Sequence, residues 1–109
     1  MQGAQNLTRE VYLQARRNDD GEVQRSRWTF YETINVEIEI KDKTGKIVTD
    51  AQVLANYYMP PMSYKTEAKM KKGKYYATMK FIMAGSWYIA VIIHRDGKTS
   101  ATKINVDTQ

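Results

Sequence analysis

Thr33-Ile34-Asn35-Val36-Glu37-Ile38-Glu39-Ile40-Lys41 is the stretch whose reading decides the fold. Ile34, Val36, Ile38 and Ile40 occupy every second position. Asn35, Glu37, Glu39 and Lys41 fill the alternate ones. A period of two puts the first set on one face of an extended chain and the second set on the other. The stretch therefore predicts a β-strand with one apolar face and one solvated face. Two carboxylates on a solvated face are not an acid–base pair, because no enclosure drives their proton affinities apart. Charged side chains there also discourage stray edge pairing.

The same period extends in both directions. Downstream, Asp42-Lys43-Thr44-Gly45-Lys46 reverses the chain with a glycine suited to positive φ. Val53, Ala55, Tyr57 and Met59 then form one face of a strand, which Pro60 ends because it offers no N–H to a ladder. Ser63 to Lys72 is polar, with room for a short strand, and Lys72-Gly73-Lys74 turns. Tyr75, Ala77, Met79 and Phe81 make the next inner face. Ala84-Gly85 breaks the run before Trp87, Ile89, Val91 and Ile93. Arg95-Asp96-Gly97-Lys98 is a hairpin turn, and Ile104 and Val106 point inward from the last strand.

Upstream, Val11, Leu13 and Ala15 alternate, and Asn18-Asp19-Asp20-Gly21 is a turn. Val23 to Tyr31 gives a less regular pattern, with Trp28, Phe30 and Tyr31 among arginines. Residues 1–9 are polar and read as a loose or linker terminus. The count is about seven strands joined by short glycine turns, with no amphipathic helix. That spacing predicts an all-β antiparallel sandwich, a single domain over residues 10–107.

Length and composition agree. The chain has 109 residues, 42% hydrophobic and 27% charged, enough for one modest core. It has no cysteine, which excludes disulfides, cysteine-ligated metal and thiol catalysis. Its formal net charge is +5. Lys65, Lys69, Lys71, Lys72 and Lys74 concentrate positive charge in one hairpin. They could meet an anionic membrane surface, or simply keep a hairpin rim hydrated. Nucleic-acid binding is not expected, because no recognition helix, aromatic platform or glycine loop accompanies the lysines.

Several segments together resemble the YtkA-like and FixH-like domain families. Asp42-Lys43-Thr44-Gly45-Lys46-Ile47-Val48-Thr49-Asp50-Ala51-Gln52-Val53 is similar to their D-x-x-G-x-P-V-x-D-A-x-V opening. Met59-Pro60-Pro61-Met62 resembles their M-P-x-M turn. Gly73-Lys74-Tyr75-Tyr76-Ala77 resembles G-x-Y-x-A, and Phe81-Ile82-Met83-Ala84-Gly85-Ser86-Trp87 resembles F-x-M-x-G-x-W. The likeness covers about residues 33–106. Ile47 stands where the family has proline, and the basic N-terminal hairpin has no counterpart in the pattern. The resemblance implies an immunoglobulin-like β-sandwich, exported to the periplasm or cell surface, with a signal or anchor ahead of Met1. It also implies work beside a membrane transport or oxidase-assembly system, with copper in some members.

The residues themselves offer three candidate surfaces. Methionine thioethers are soft donors suited to copper(I), and Met59 and Met62 flank the only two prolines. An extended Pro-Pro path would carry Met62 roughly 9 Å along the chain. A type VI turn with a cis Pro60–Pro61 bond would close its ends to within roughly 7 Å. A shared ion therefore requires the compact turn or a third ligand, for which Met83 is the candidate. Packing alone, with methionine filling gaps at the open end of the sandwich, accounts for the same residues.

Trp28, Tyr31, Tyr57 and Tyr58 form the second surface, a partner-binding set if exposed and a completed inner face if not. The lysine hairpin is the third. His94, the sole histidine, has no partner motif and reads as a solvent-facing strand-end residue. No nucleophile has a base in reach, so the expectation is a non-catalytic module. It would assist a membrane system through weak copper(I) contact, or dock a protein partner through aromatics or an edge strand without any metal.

Overall fold

The computed structural model describes the backbone of Ala4–Leu7, Val11–Asp19 and Glu22–Gln24, and all of residues 28–109. The described residues form nine strands: β1 (Ala4–Leu7), β2 (Val11–Asp19), β3 (Glu22–Gln24), β4 (Thr33–Asp42), β5 (Gln52–Met59), β6 (Met62–Lys71), β7 (Lys74–Lys80), β8 (Gly85–Arg95) and β9 (Lys98–Thr108). Among the described residues there is no helix. The all-β expectation holds.

The strands form one continuous antiparallel sheet in the order β1-β2-β4-β7-β6-β5-β8-β9, with β3 pairing β2. β6 is where the sheet curls. Its Met62–Ala68 stretch pairs with β5, while Lys69–Lys71 pairs with β7. The curl brings the inner faces of β4 and β7 against those of β5, β8 and β9. Ile34, Val36, Ile38 and Ile40 are all buried there, with Tyr75, Ala77 and Met79 from β7. Val53, Ala55, Trp87, Ile89, Val91, Ile93, Ile104 and Val106 meet them from the other side. Each fully buried aliphatic side chain contributes about 1.5–3 kcal/mol, which is why strict alternation sets the register of every central strand.

At one end the core is aromatic. Phe81 lies 5.3 Å from Trp87, 5.4 Å from Tyr57 and 6.1 Å from Trp28, ring centre to ring centre, each edge-on. Edge-to-face packing suits the ring quadrupoles. Two backbone bonds at Gln109 and a parallel bridge from Trp28 to Thr108 tie residues 28–30 beside the end of β9.

Three expectations change. The polar stretch read as 63–72 with a short strand holds most of β6, which runs ten residues over Met62–Lys71. Only Ala68 of it is buried, because a strand at the curl packs few residues inward. Ala4–Leu7, in the stretch read as a loose terminus, pairs with β2. Glu37 is not on a solvated face. It is 1% exposed, beneath Lys74 and Tyr76, whose Nζ and hydroxyl lie 3.5 Å from its carboxylate oxygens. Neighbouring long side chains, which one strand's alternation does not reveal, cover it. The Asp20-Gly21 part of the first predicted turn lies outside the described residues, between Asp19 and its β3 partner Glu22.

Candidate functional site

β5 and β6 meet at the diproline. The Pro60–Pro61 peptide is cis, and Met59 faces Met62 across the ladder, the compact turn a shared ligand would require. Facing residues of an antiparallel pair stand roughly 4.5–5.5 Å apart at Cα, and both methionines carry the inward parity of their strands. Each is half-buried against the core.

The 81–86 corner packs against this turn. A Cβ placed on Gly85 would lie 3.0 Å from the Met59 terminal methyl, so the Met59 side chain reaches across the end of the fold to the start of β8. Met83, two residues away, is 50% exposed. Its carbonyl accepts from the Trp87 indole N–H and from the Thr108 hydroxyl, both at 2.9 Å. Thus three methionines share one end of the molecule, two on the β5–β6 hairpin and one on a loop tethered by Trp87 and Thr108. Thioethers alone fit a soft monovalent ion such as copper(I) and fit hard divalent cations poorly. No group of three or more His, Cys, Asp or Glu that could hold a metal occurs among the described residues.

The aromatic set divides. Trp28 is 2% exposed and Tyr57 is buried, so both belong to the core and neither offers a docking face. Tyr57 also stacks on Tyr64 at 5.4 Å, and its hydroxyl accepts from the Lys80 backbone N–H. Tyr31 is 70% exposed at φ 64°, beneath the Lys80 ammonium. Tyr58 lies on the outer face beside Tyr88, ring centres 5.5 Å apart, with Lys103 over Tyr88. Tyr88 escaped the sequence reading because its outer-face parity gave no reason to group it with Tyr58. The signal was the matching apolar character of both outer faces. Leu54 pairs with Ile92, and Asn56 with Ala90, on that same face. Leu54 and Ile92 line a groove of ≈ 420 Å³ with Lys65 and Glu67.

The lysine set divides as well. Lys65 borders this outer groove, opposite Asn56. Lys69 lies farther along β6, opposite Tyr76. Lys71, Lys72 and Lys74 sit at the β6–β7 turn, at the opposite end of the strands from Met62. Lys74 is committed to Glu37. His94 is half-exposed, with its Nδ1 2.9 Å from the Thr99 hydroxyl.

The chain has no match among curated proteins or among solved structures. The YtkA-like family profile matches residues 31–92, which include the diproline hairpin and the 81–86 corner. The chain therefore belongs to the YtkA-like family.

Proposed function

We propose that this chain is a non-catalytic support module that acts beside a membrane transport or oxidase-assembly system on the extracytoplasmic side. Its fold is then an immunoglobulin-like sandwich. One layer is β2-β4-β7, the other is β5-β8-β9, and β6 passes between them. Weak copper(I) contact occurs at Met59 and Met62, with Met83 as the third donor. The observation that carries the reading is the hairpin register that sets Met59 opposite Met62 beside the Met83 loop. Copper(I) bound there would supply an exchangeable soft-metal site suited to transfer.

Titration with copper(I) under reducing conditions, followed by methionine methyl NMR, tests it. The Met59, Met62 and Met83 signals shift together, while buried Met79 stays in place as the internal control. Unmoved Met59 and Met62 signals at excess copper(I) remove the metal from the account.

A second reading is metal-free docking of a protein partner. It rests on the outer-face strip of Leu54, Ile92, Ala90, Tyr58 and Tyr88, which is apolar where a solvated sheet face is ordinarily polar. A photo-crosslinker at position 54 and another at 88 then capture the same membrane protein, and one at 72 does not. Capture from all three positions alike counts against it.

A further inference from the structure

Three turns meet at the end of the molecule remote from the methionines. The Asp42–Lys46 turn and the Arg95–Lys98 turn share a cleft of ≈ 240 Å³. The Asp50 carboxylate, just before β5, accepts from Arg95 Nε at 2.9 Å. The Ala51 backbone N–H donates to the Tyr75 hydroxyl at 3.1 Å, which links the Lys71–Lys74 turn to the same end. Sequence separation hides this grouping, since the three turns lie about 25 residues apart.

The charges at this end are unequally committed. Asp42 accepts three bonds within its own turn, from the Thr44 N–H, the Thr44 hydroxyl and the Lys46 N–H. Asp50 and Asp96 both face Arg95. Glu39 pairs with Lys41, and Glu37 with Lys74. Lys43, Lys46, Lys71, Lys72 and Lys98 form no ion pair with another described residue. All five are exposed. Ile47 stands beside Lys46 and is 44% exposed, in the position where the family pattern has proline. Met70, also exposed, pairs with Tyr75 at the base of the same turn.

We propose that this three-turn end docks on an anionic lipid surface, with the five lysines meeting headgroups and Ile47 entering the interfacial layer. Turn tips present point charges around a short cleft between two of the turns. Such an arrangement suits a headgroup plane better than the extended path of a polynucleotide backbone. Among the described residues of this end the uncommitted charge is carried by lysine, and the Arg95 guanidinium is already held by Asp50. Bidentate phosphate recognition, which arginine favours, is therefore not the design. An isoleucine among lysines adds the apolar contact that interfacial binding uses. The proposal stands independently of copper and of the outer-face groove.

Vesicle sedimentation tests it, with phosphatidylglycerol–phosphatidylcholine vesicles against pure phosphatidylcholine. The protein binds the first and not the second, and binding falls steeply with salt. K43E/K98E weakens binding by more than about tenfold, since each lysine near such a surface is worth about fivefold. K65E/K103E carries the same net charge change on another face and weakens it by far less. Ile47→Trp shows a blue-shifted emission on anionic vesicles. Circular dichroism confirms that each variant is folded. Equal losses from the two charge-reversed pairs, no preference for anionic vesicles, or binding to RNA but not to vesicles would each overturn the proposal.

Discussion

Gly85 shows how one residue constrains the methionine end. Its φ of 134° is open to glycine and strained for any other residue, and the Met59 methyl occupies the space a Cβ would need. Gly85→Ala should cost about 1–3 kcal/mol, the range for a non-glycine residue held in a disfavoured backbone region. Urea unfolding would measure it, and a cost near zero would mean that the corner relaxes freely. Asp42 acts at the other end. The Thr44 hydroxyl bond, the largest influence, holds its carboxyl below the usual value of 3.8; desolvation opposes it, and the Lys46 and Thr44 backbone N–H groups and Arg95 add to the lowering. A depressed folded value means that its stabilisation is complete above the unfolded value and is lost as pH falls below 3.8 through the folded one. Asp42→Asn keeps an acceptor but cannot titrate. The variant should show a shallower loss of melting temperature on acidification through that window, with no difference in slope above about pH 5.

At the scale of elements, the end of β9 acts as a latch. The Thr108 hydroxyl donates to the Met83 carbonyl at 2.9 Å and lies 3.3 Å from the Gly85 carbonyl. Thr108→Val preserves shape and removes that donor. It should cost about 1 kcal/mol, and amide exchange should quicken at residues 83–86 while the β4 and β8 centres stay protected. Legibility followed the same division. β4 and β8 were plain in the sequence, because strands buried on one face must alternate. β6 was not, because at the curl only Ala68 needs to be apolar. Trp28 lacked any periodic context, since a single bridge to Thr108 rather than a ladder carries it into the core. Glu37 was misplaced for a different reason. Alternation reports which face a side chain points to, whereas its cover comes from Lys74 and Tyr76 on a neighbouring strand. The diproline was legible as a turn, and its partner loop at 81–86 was legible only as a motif. Their contact through Met59 and Gly85 is a property of the folded sheet.

For the whole molecule, the strands run between two chemically different ends. One carries Phe30, Tyr31, Pro60, Pro61 and Met83, all exposed. The other carries the five lysines that pair with no other described residue, together with Ile47 and Met70. The principal extents are 36 × 31 × 20 Å, so a surface bound at one end stands some tens of ångströms from the other. That distance exceeds the roughly 10 Å reach of charge screening at ordinary salt, so docking at the lysine end leaves the methionine end clear for metal or partner. Methionine oxidation reads both ends at once, because Met70 and Met83 are similarly exposed thioethers on opposite ends. In solution, limiting peroxide should convert both to the sulfoxide at comparable rates, well ahead of buried Met79. On phosphatidylglycerol vesicles, Met70 should be protected several-fold while Met83 keeps its solution rate, as peptide mass spectrometry would show. Protection of Met83 instead would reverse the orientation and place the diproline end on the lipid. Equal protection of both would mean that the domain lies flat, and neither end would then be free to serve a second partner.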